Sequence, residues 1–303
     1  VKLQEPEWAH VGGKLVKWKE ASLHIGCEAV TRGLSVYEGL KGYWDEEGAE
    51  FGIIAMKRHF ERLERSARLL HIPCPVDFDG FETAVHDLTR ALIRPDRDMW
   101  MRPTLYVVQG HWGENTRAEL VVTAFQESKR RPDPMDIGVS SWRRSSDAAL
   151  PARIKTTANY QVARLARIEG RKNGFGEMVL LNQYDRVAEA TGCCILMVRD
   201  GTVVTTPPSE GRLESITARI VASLCESLGI PFVERPVERT ELLVADEVCL
   251  VGTLAELVRV RRIEDFELPA GTPVFDRIAD RFWDAVRGTD PHPAVDRSLV
   301  DLT

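Results

Sequence analysis

Asp200-Gly201 separates two strand-like runs, Ile195 to Arg199 and Thr202 to Thr206. Asp-Gly is a preferred two-residue hairpin turn, because both central positions need positive φ. The chain must therefore hold an antiparallel pair here, and Pro207-Pro208 stops its second strand. Helical patterns flank it. Asn159 to Lys172 predicts a helix closed by Asn173-Gly174. Ser215 to Leu228 predicts another, capped by Gly229, with Ser215 or Thr217 at its start and free N–H groups there. Glu247 to Gly252 predicts a short buried strand ending in Gly252-Thr253.

The N-terminal part is similarly mixed. Gly12-Gly13-Lys14 predicts a turn between short strands. Met56 to His71 predicts a helix with Phe60, Leu63, Ala67 and Leu70 on one face, ended by Pro73. Phe81 to Leu92 predicts a second amphipathic helix, and Trp100 to Gln109 and Glu119 to Ala124 predict strands. Strands and helices are interspersed throughout, so the class is α+β or α/β. The polar stretch Gln126 to Pro134 is the boundary candidate. No internal repeat or low-complexity tract interrupts the pattern.

The 303 residues suit two domains or one large one. A net charge of −6 argues against a nucleic-acid surface. Lys129-Arg130-Arg131, the nearest thing to a basic run, reads as a solvated linker. The six cysteines form no CxxC pair and have no His at zinc-ligand spacing. They read as buried thiols in a reducing cytoplasm. No apolar run approaches the length of a membrane span. The N-terminal Val1 to Pro6 lacks the apolar core of a signal peptide.

P-loop, GxGxxG, GxSxG and HExxH motifs are missing, and the seven histidines are scattered. One residue stands out instead. After Arg131 the chain uses arginine for positive charge, and its only lysines are Lys155 and Lys172. Lys155 lies among small, apolar and hydroxyl residues, Arg153 to Tyr160. An amine that must lose a proton and attack a carbonyl has to be lysine, since arginine stays charged. A lone lysine with a possible phosphate site but no P-loop suggests pyridoxal phosphate.

Ordered motifs strengthen that reading. Arg32-Gly33-Leu34-Ser35-Val36-Tyr37-Glu38-Gly39-Leu40-Lys41 is similar to "YGxSVFEGIR". His59-Phe60-Glu61-Arg62-Leu63 with Ser66-Ala67 is similar to "HxxRLxxSA", and Trp100-Met101-Arg102-Pro103 to "YIRP". Val139 to Arg144 followed by Lys155, Asn159 and Tyr160 resembles the stretch of a Schiff-base lysine. Ala188-Glu189-Ala190 then follows. Leu213 to Thr217 stands for "LPGIT", and Ala245 to Glu256 resembles "ADEVFxxGTAAE". In this order and spacing, from about Arg32 to Val260, the chain resembles the class IV aminotransferases, the fold-type IV pyridoxal phosphate enzymes. It is most similar to their branched-chain aminotransferases.

The resemblance implies a D-amino acid aminotransferase-like fold of two domains. These would be a small α/β domain over 1–125, a linker over 126–134 and a larger pseudo-barrel domain over 135–303, with cofactor in the cleft between domains. It implies a homodimer acting on an amino donor and a 2-oxo acid, with no nucleic acid, membrane or metal involved. Lys155 would condense with the cofactor and carry the proton shift. Glu189 would pair with the pyridine nitrogen. Arg62 would hold the phosphate with Ile216, Thr217 and Thr253. Only the motif singles out Arg62 from Arg65 and Arg68. Tyr160 would lie near the ring hydroxyl, where a core tyrosine is an equal reading by periodicity. Leu213 would pack on the ring face. The substrate side would use Arg32, Tyr37, Trp100, Arg102, Thr253 and Leu254.

The chain departs from the family at several positions. Cys194 replaces an asparagine, Ala218 an arginine, and Arg32 and Trp100 two tyrosines that line the substrate pocket. Arg32 could bind an acidic group. The expected activity is transamination between a hydrophobic, branched-chain-like amino acid and 2-oxoglutarate. The alternatives are a transaminase for D-amino acids, (R)-amines or a specialised intermediate, a lyase resembling aminodeoxychorismate lyase, and a non-catalytic cofactor binder.

Overall fold

The computed structural model describes residues 4–302, and the chain forms two compact units. The first takes in the chain up to Arg130, together with Ile154–Ala158 and the stretch from Ala285 onward. The second comprises Arg131–Arg153 and Asn159–Asp284.

The first unit begins with a hairpin, β1 (Trp8–Val11) and β2 (Lys14–Lys17), turned at Gly12-Gly13. There follow α1 (Glu28–Thr31), β3 (Ser35–Tyr37), β4 (Leu40–Asp45), β5 (Glu50–Ile54), α2 (Met56–Leu69) and α3 (Phe78–Leu92). A long hairpin, β6 (Arg97–His111) and β7 (Glu114–Ser128), forms the middle of the sheet. Gly42 of β4 lies so close to Phe51 of β5 that a Cβ there would stand 2.2 Å from the ring. Phe60, Leu63 and Ala67 of α2 meet Phe81, Ala84, Val85 and Leu88 of α3 in the core. α3 starts three residues before the expected Phe81, because Asp77 accepts the Gly80 N–H as its N-cap. Leu70 falls outside α2, which ends at Leu69.

The second unit holds β8 (Met135–Arg143), α4 (Tyr160–Lys172), β9 (Glu177–Leu181), β10 (Val187–Ala190), β11 (Cys194–Arg199), β12 (Thr202–Thr205), α5 (Ile216–Ser227), β13 (Phe232–Glu234), α6 (Arg239–Leu243), β14 (Glu247–Gly252), β15 (Glu256–Ile263), β16 (Phe266–Glu267) and α7 (Pro273–Arg287), whose last turn is counted with the first unit. The sheet order is β10-β9-β8-β15-β14-β11-β12-β13, with β16 beside β15. The two ends approach each other. Just after β13, Val237 accepts the Val187 N–H at 2.9 Å, and Glu238 bridges with Arg186. This closure gives the unit its barrel-like character and covers an edge. Ile137, Val179, Leu181, Ile195, Met197, Val248, Leu250 and Val258 form its core. The hairpin at Asp200-Gly201 is present, with φ of 50° and 74°.

Beyond α7 the chain adds β17 (Arg297–Leu299) to β5, completing the first sheet as β17-β5-β4-β6-β7-β1-β2 with β3 on β6. Two differences from the sequence-based boundaries stand out. Gln126, Glu127 and Ser128 lie in β7, where they pair with Met99, Asp98 and Arg97. Ile154–Ala158 and the stretch from Ala285 group with the first unit. Long-range hydrogen bonds hold the former, and the β17 ladder holds the latter.

Candidate functional site

Lys155 in the first unit is fixed through its backbone. Its N–H donates to Ser66 Oγ at 3.1 Å, and its carbonyl accepts the Tyr37 N–H at 3.0 Å. The next two residues extend the clamp. Thr156 Oγ1 donates to Ser35 O, and Thr157 Oγ1 to Gly33 O, each at 2.8 Å. The residue is half-buried, and Nζ stands 5.0 Å from the centre of the Tyr37 ring.

His59, Arg62 and Ser66 share the lysine-facing side of α2 at helical spacing, and all three are buried. Glu38, just after β3, is fully buried. Its carboxylate accepts Arg62 Nε and Nη2, each at 2.7 Å, and meets His59 Nδ1 at 2.6 Å. Burial pushes the Glu38 carboxyl up, but the Arg62 guanidinium and then His59 outweigh it and hold it well below the usual carboxylate range. Burial pushes His59 down, Glu38 opposes this, and the charges of Arg62 and Lys155 add to the lowering. His59 is therefore neutral near pH 7 and donates Nδ1–H to an ionised Glu38.

Arg102 lies over two rings, 5.1 Å from Tyr37 and 4.8 Å from Trp100. Among the described residues no carboxylate pairs with it, and it is exposed. Trp100 is buried and stacks on Phe125 at 5.1 Å. Arg32 is engaged elsewhere: Nε is 3.4 Å from Glu28, and its guanidinium lies over Trp112 at 4.2 Å. Lys155, Tyr37, Arg102 and Trp100 thus form one connected group, linked to Arg62 through the face of α2, whereas Arg32 points into a separate cluster.

In the second unit, Glu189 of β10 is buried. Oε1 pairs with Arg144 Nη2 at 2.9 Å, and Oε2 accepts the Leu213 N–H at 3.1 Å. Arg144 is held in turn, since Nε donates to Gly211 O and Nη1 to Asn159 O. Arg212 donates Nη1 to Leu213 O and Nη2 to Glu234, which locks the Leu213 backbone from its other side. Cys194 Sγ lies 3.8 Å from Arg212 Nη1. Burial raises both the Cys193 and Cys194 thiols, so they are neutral.

α5 starts where Ser215 Oγ accepts the Ala218 N–H at 3.1 Å. That leaves the N–H groups of the buried Ile216 and Thr217 for an anion. Thr253 and exposed Leu254 follow β14, and half-buried Tyr160 opens α4. Ala218 is buried and fits its small side chain there. Glu189, Leu213, Ile216 and Thr217 thus gather on β10 and the approach to α5. Sequence reasoning left Glu38, His59, Ser66 and Arg144 without roles, although the quoted motifs contain all four.

These residues match the needs of pyridoxal phosphate. The first unit supplies a fixed primary amine and a buried arginine, and the second a buried carboxylate paired with Arg144 and first-turn N–H groups. Among the described residues, no group of three or more His, Cys, Asp or Glu could hold a metal.

The family model for amino-transferase class IV matches residues 35–263. A probable branched-chain-amino-acid aminotransferase of Synechocystis sp. is 31% identical over 277 residues, 89% of each chain. The branched-chain aminotransferase of Thermoproteus uzoniensis, solved with norvaline, superposes with a TM-score of 0.90 at 29% identity, covering 96% of this chain and 98% of that one. The holo, pyridoxal phosphate form of the Thermobaculum terrenum enzyme gives 0.88 at 30% identity, covering 97% and 99%.

Proposed function

The chain belongs to the class IV aminotransferases, and from that premise we propose that it moves an amino group from a hydrophobic, branched-chain-like amino acid to a 2-oxo acid such as 2-oxoglutarate. It is a pyridoxal phosphate-dependent aminotransferase. When bound, that cofactor supplies an aldehyde to take the amine and a ring to accept electrons from the substrate Cα.

The chain's own residues divide the remaining work. Lys155 Nζ must lose its proton to act as nucleophile. Once released by substrate, the same amine would take the proton from the substrate Cα and hold it for return. The Ser66 hydroxyl and the Tyr37 N–H hold the Lys155 backbone in place between steps. Glu189 would pair with the pyridine nitrogen. Arg62 of the first unit would hold the phosphate, and in the second unit the Ile216 and Thr217 N–H groups and the Thr253 hydroxyl would suit the same kind of anion. Leu213 would pack on the ring face, and Tyr160 would lie near the ring hydroxyl.

The observation that carries this reading is the pair of cations over Tyr37. Lys155 Nζ is 5.0 Å and Arg102 Cζ 5.1 Å from one ring, and Arg102 has no carboxylate partner among the described residues. A substrate carboxylate held by Arg102 would lie within reach of the amine. Tyr37 and Trp100 supply the apolar wall that suits a hydrophobic side chain, and Leu254 an exposed apolar surface. Arg32, tied to Glu28 and Trp112, is unsuited to replace a substrate-binding hydroxyl in this arrangement.

The deciding experiment combines a donor–acceptor panel with borohydride trapping. The wild type is expected to be yellow, to lose its band with borohydride, and to turn over only when a 2-oxo acid is present. Lys155→Ala is expected to lose both trapping and turnover. Turnover without any 2-oxo acid would favour the lyase, and a D-amino acid or (R)-amine donor the altered-specificity enzyme. We also propose a homodimer, testable by light scattering, and a reducing cytoplasmic setting that suits six unpaired thiols.

A further inference from the structure

Three charged or titratable side chains meet in the core beside Lys155. Replacing them with well-packed apolar residues would cost the fold little, because a buried ion pair is weak evidence for stability. Their arrangement is specific. Glu38 accepts one edge of the Arg62 guanidinium with both its oxygens, Nε on Oε1 and Nη2 on Oε2, each at 2.7 Å. That contact defines the guanidinium plane. An unanchored arginine side chain is long and rotamer-rich, so a helix alone leaves its head undirected.

His59 closes the set. Its Nδ1 meets Glu38 Oε2 at 2.6 Å, so the carboxylate is held from two sides and cannot turn about its own bond without losing a partner. His59 and Arg62 lie three residues apart on α2, whereas Glu38 follows β3, the strand that also bonds the Lys155 segment. The same three-residue set therefore relates the arginine to the strand that holds the lysine.

We propose that Glu38 and His59 are positioning residues that hold the Arg62 guanidinium in the attitude required to bind the cofactor's phosphate. This rests on the reading of Arg62 as a phosphate ligand given above. Glu38 and His59 touch neither substrate nor cofactor in this scheme and act only through Arg62.

Full-length protein freed of cofactor and titrated with pyridoxal 5'-phosphate and with pyridoxal separates this role from a structural one. Both ligands offer the same aldehyde and ring, and only one carries a phosphate. Glu38→Gln keeps the shape but destroys the double acceptor. It is expected to weaken pyridoxal 5'-phosphate at least about tenfold, the scale of one lost charge-assisted bond, while pyridoxal affinity stays within about twofold. His59→Gln is expected to move the same ratio in the same direction by a few-fold, and Glu38→Asp to restore part of it. Equal weakening of both ligands, or no weakening in a folded variant, would overturn the proposal. If Glu38→Gln does not fold, His59→Gln and Glu38→Asp carry the same comparison. Arg62→Ala separates the two levels. If it leaves the phosphate preference intact, the reading of Arg62 fails. If it abolishes the preference while Glu38 and His59 variants keep it, only the present inference fails.

Discussion

Arg144 Nη2 and Glu189 Oε1 stand 2.9 Å apart with both side chains almost wholly buried. The other carboxylate oxygen takes a backbone N–H from Leu213, so neither oxygen of Glu189 faces an apolar wall without a partner. Both oxygens are thereby fixed in direction, which suits a side chain that would pair with a ring nitrogen.

Glu189→Gln preserves the volume and removes that charge. Turnover is expected to fall by about 10²-fold or more, the scale of losing one electrostatic contact to a developing charge, with KM much less affected. Steady-state kinetics on the purified variant test this, and a kcat within threefold of wild type would remove Glu189 from the site. Arg144→Gln leaves Glu189 without its guanidinium. It is expected to cost about 3–5 kcal/mol of stability, as for a broken buried pair, measured by denaturant unfolding.

Arg102 should act on substrate affinity. Arg102→Gln removes the guanidinium that lies over Tyr37 and Trp100. KM for the acidic partner is expected to rise by about 10–10²-fold, corresponding to one charged hydrogen bond. Cofactor absorbance should be unchanged. A loss of cofactor with unaltered KM would place Arg102 in the other half of the chemistry.

Stability should fall on acidification. The folded values of Glu38 and His59 both lie below their ordinary ones. The unfolded chain therefore binds more protons at low pH, and each group's contribution is present above its unfolded value and lost as pH falls toward its folded one. The His59 part begins near pH 6.5 and the Glu38 part near pH 4.5, the ordinary values. Thermal unfolding between pH 8 and 4 should show a falling Tm. His59→Gln should flatten the segment just below pH 6.5. A Tm that rises on acidification would contradict the buried triad.

The thiols offer an independent check on packing. Cys27, Cys193, Cys194, Cys225 and Cys249 are buried and Cys74 is half-buried. Burial pushes Cys249 well above the usual thiol range and Cys225 up to about 11. A thiol reagent at pH 8 is expected to label Cys74 first in the native protein and the others only after unfolding. Rapid native labelling of Cys225 or Cys249 would show that their strands and helices are not packed as described.

Parts of this protein were legible in its amino acids alone. Asp200-Gly201 must turn a hairpin because its two positions need positive φ. Gly174, at φ 80°, closes α4 for the same reason, and Ser215 had to start α5 because its hydroxyl caps the first turn. These signals are local, and so are the motifs that carried Lys155 and Glu189. Pairing and proximity were not local. Gln126 to Ser128 look like a linker but lie in a strand, because Arg97 to Met99 supply their ladder partners from 29 or so residues away. Glu38 lies 21 residues from His59 and 24 from Arg62, and nothing in their local pattern says that one carboxylate will take both donors. Arg32 could be assigned to an acidic substrate until folding gave its charge to Glu28 and Trp112. Dihedral preference and periodicity act over a few residues, and a sequence displays them. Which buried charge meets which depends on where distant strands and helices come to rest, and only the tertiary structure decided that.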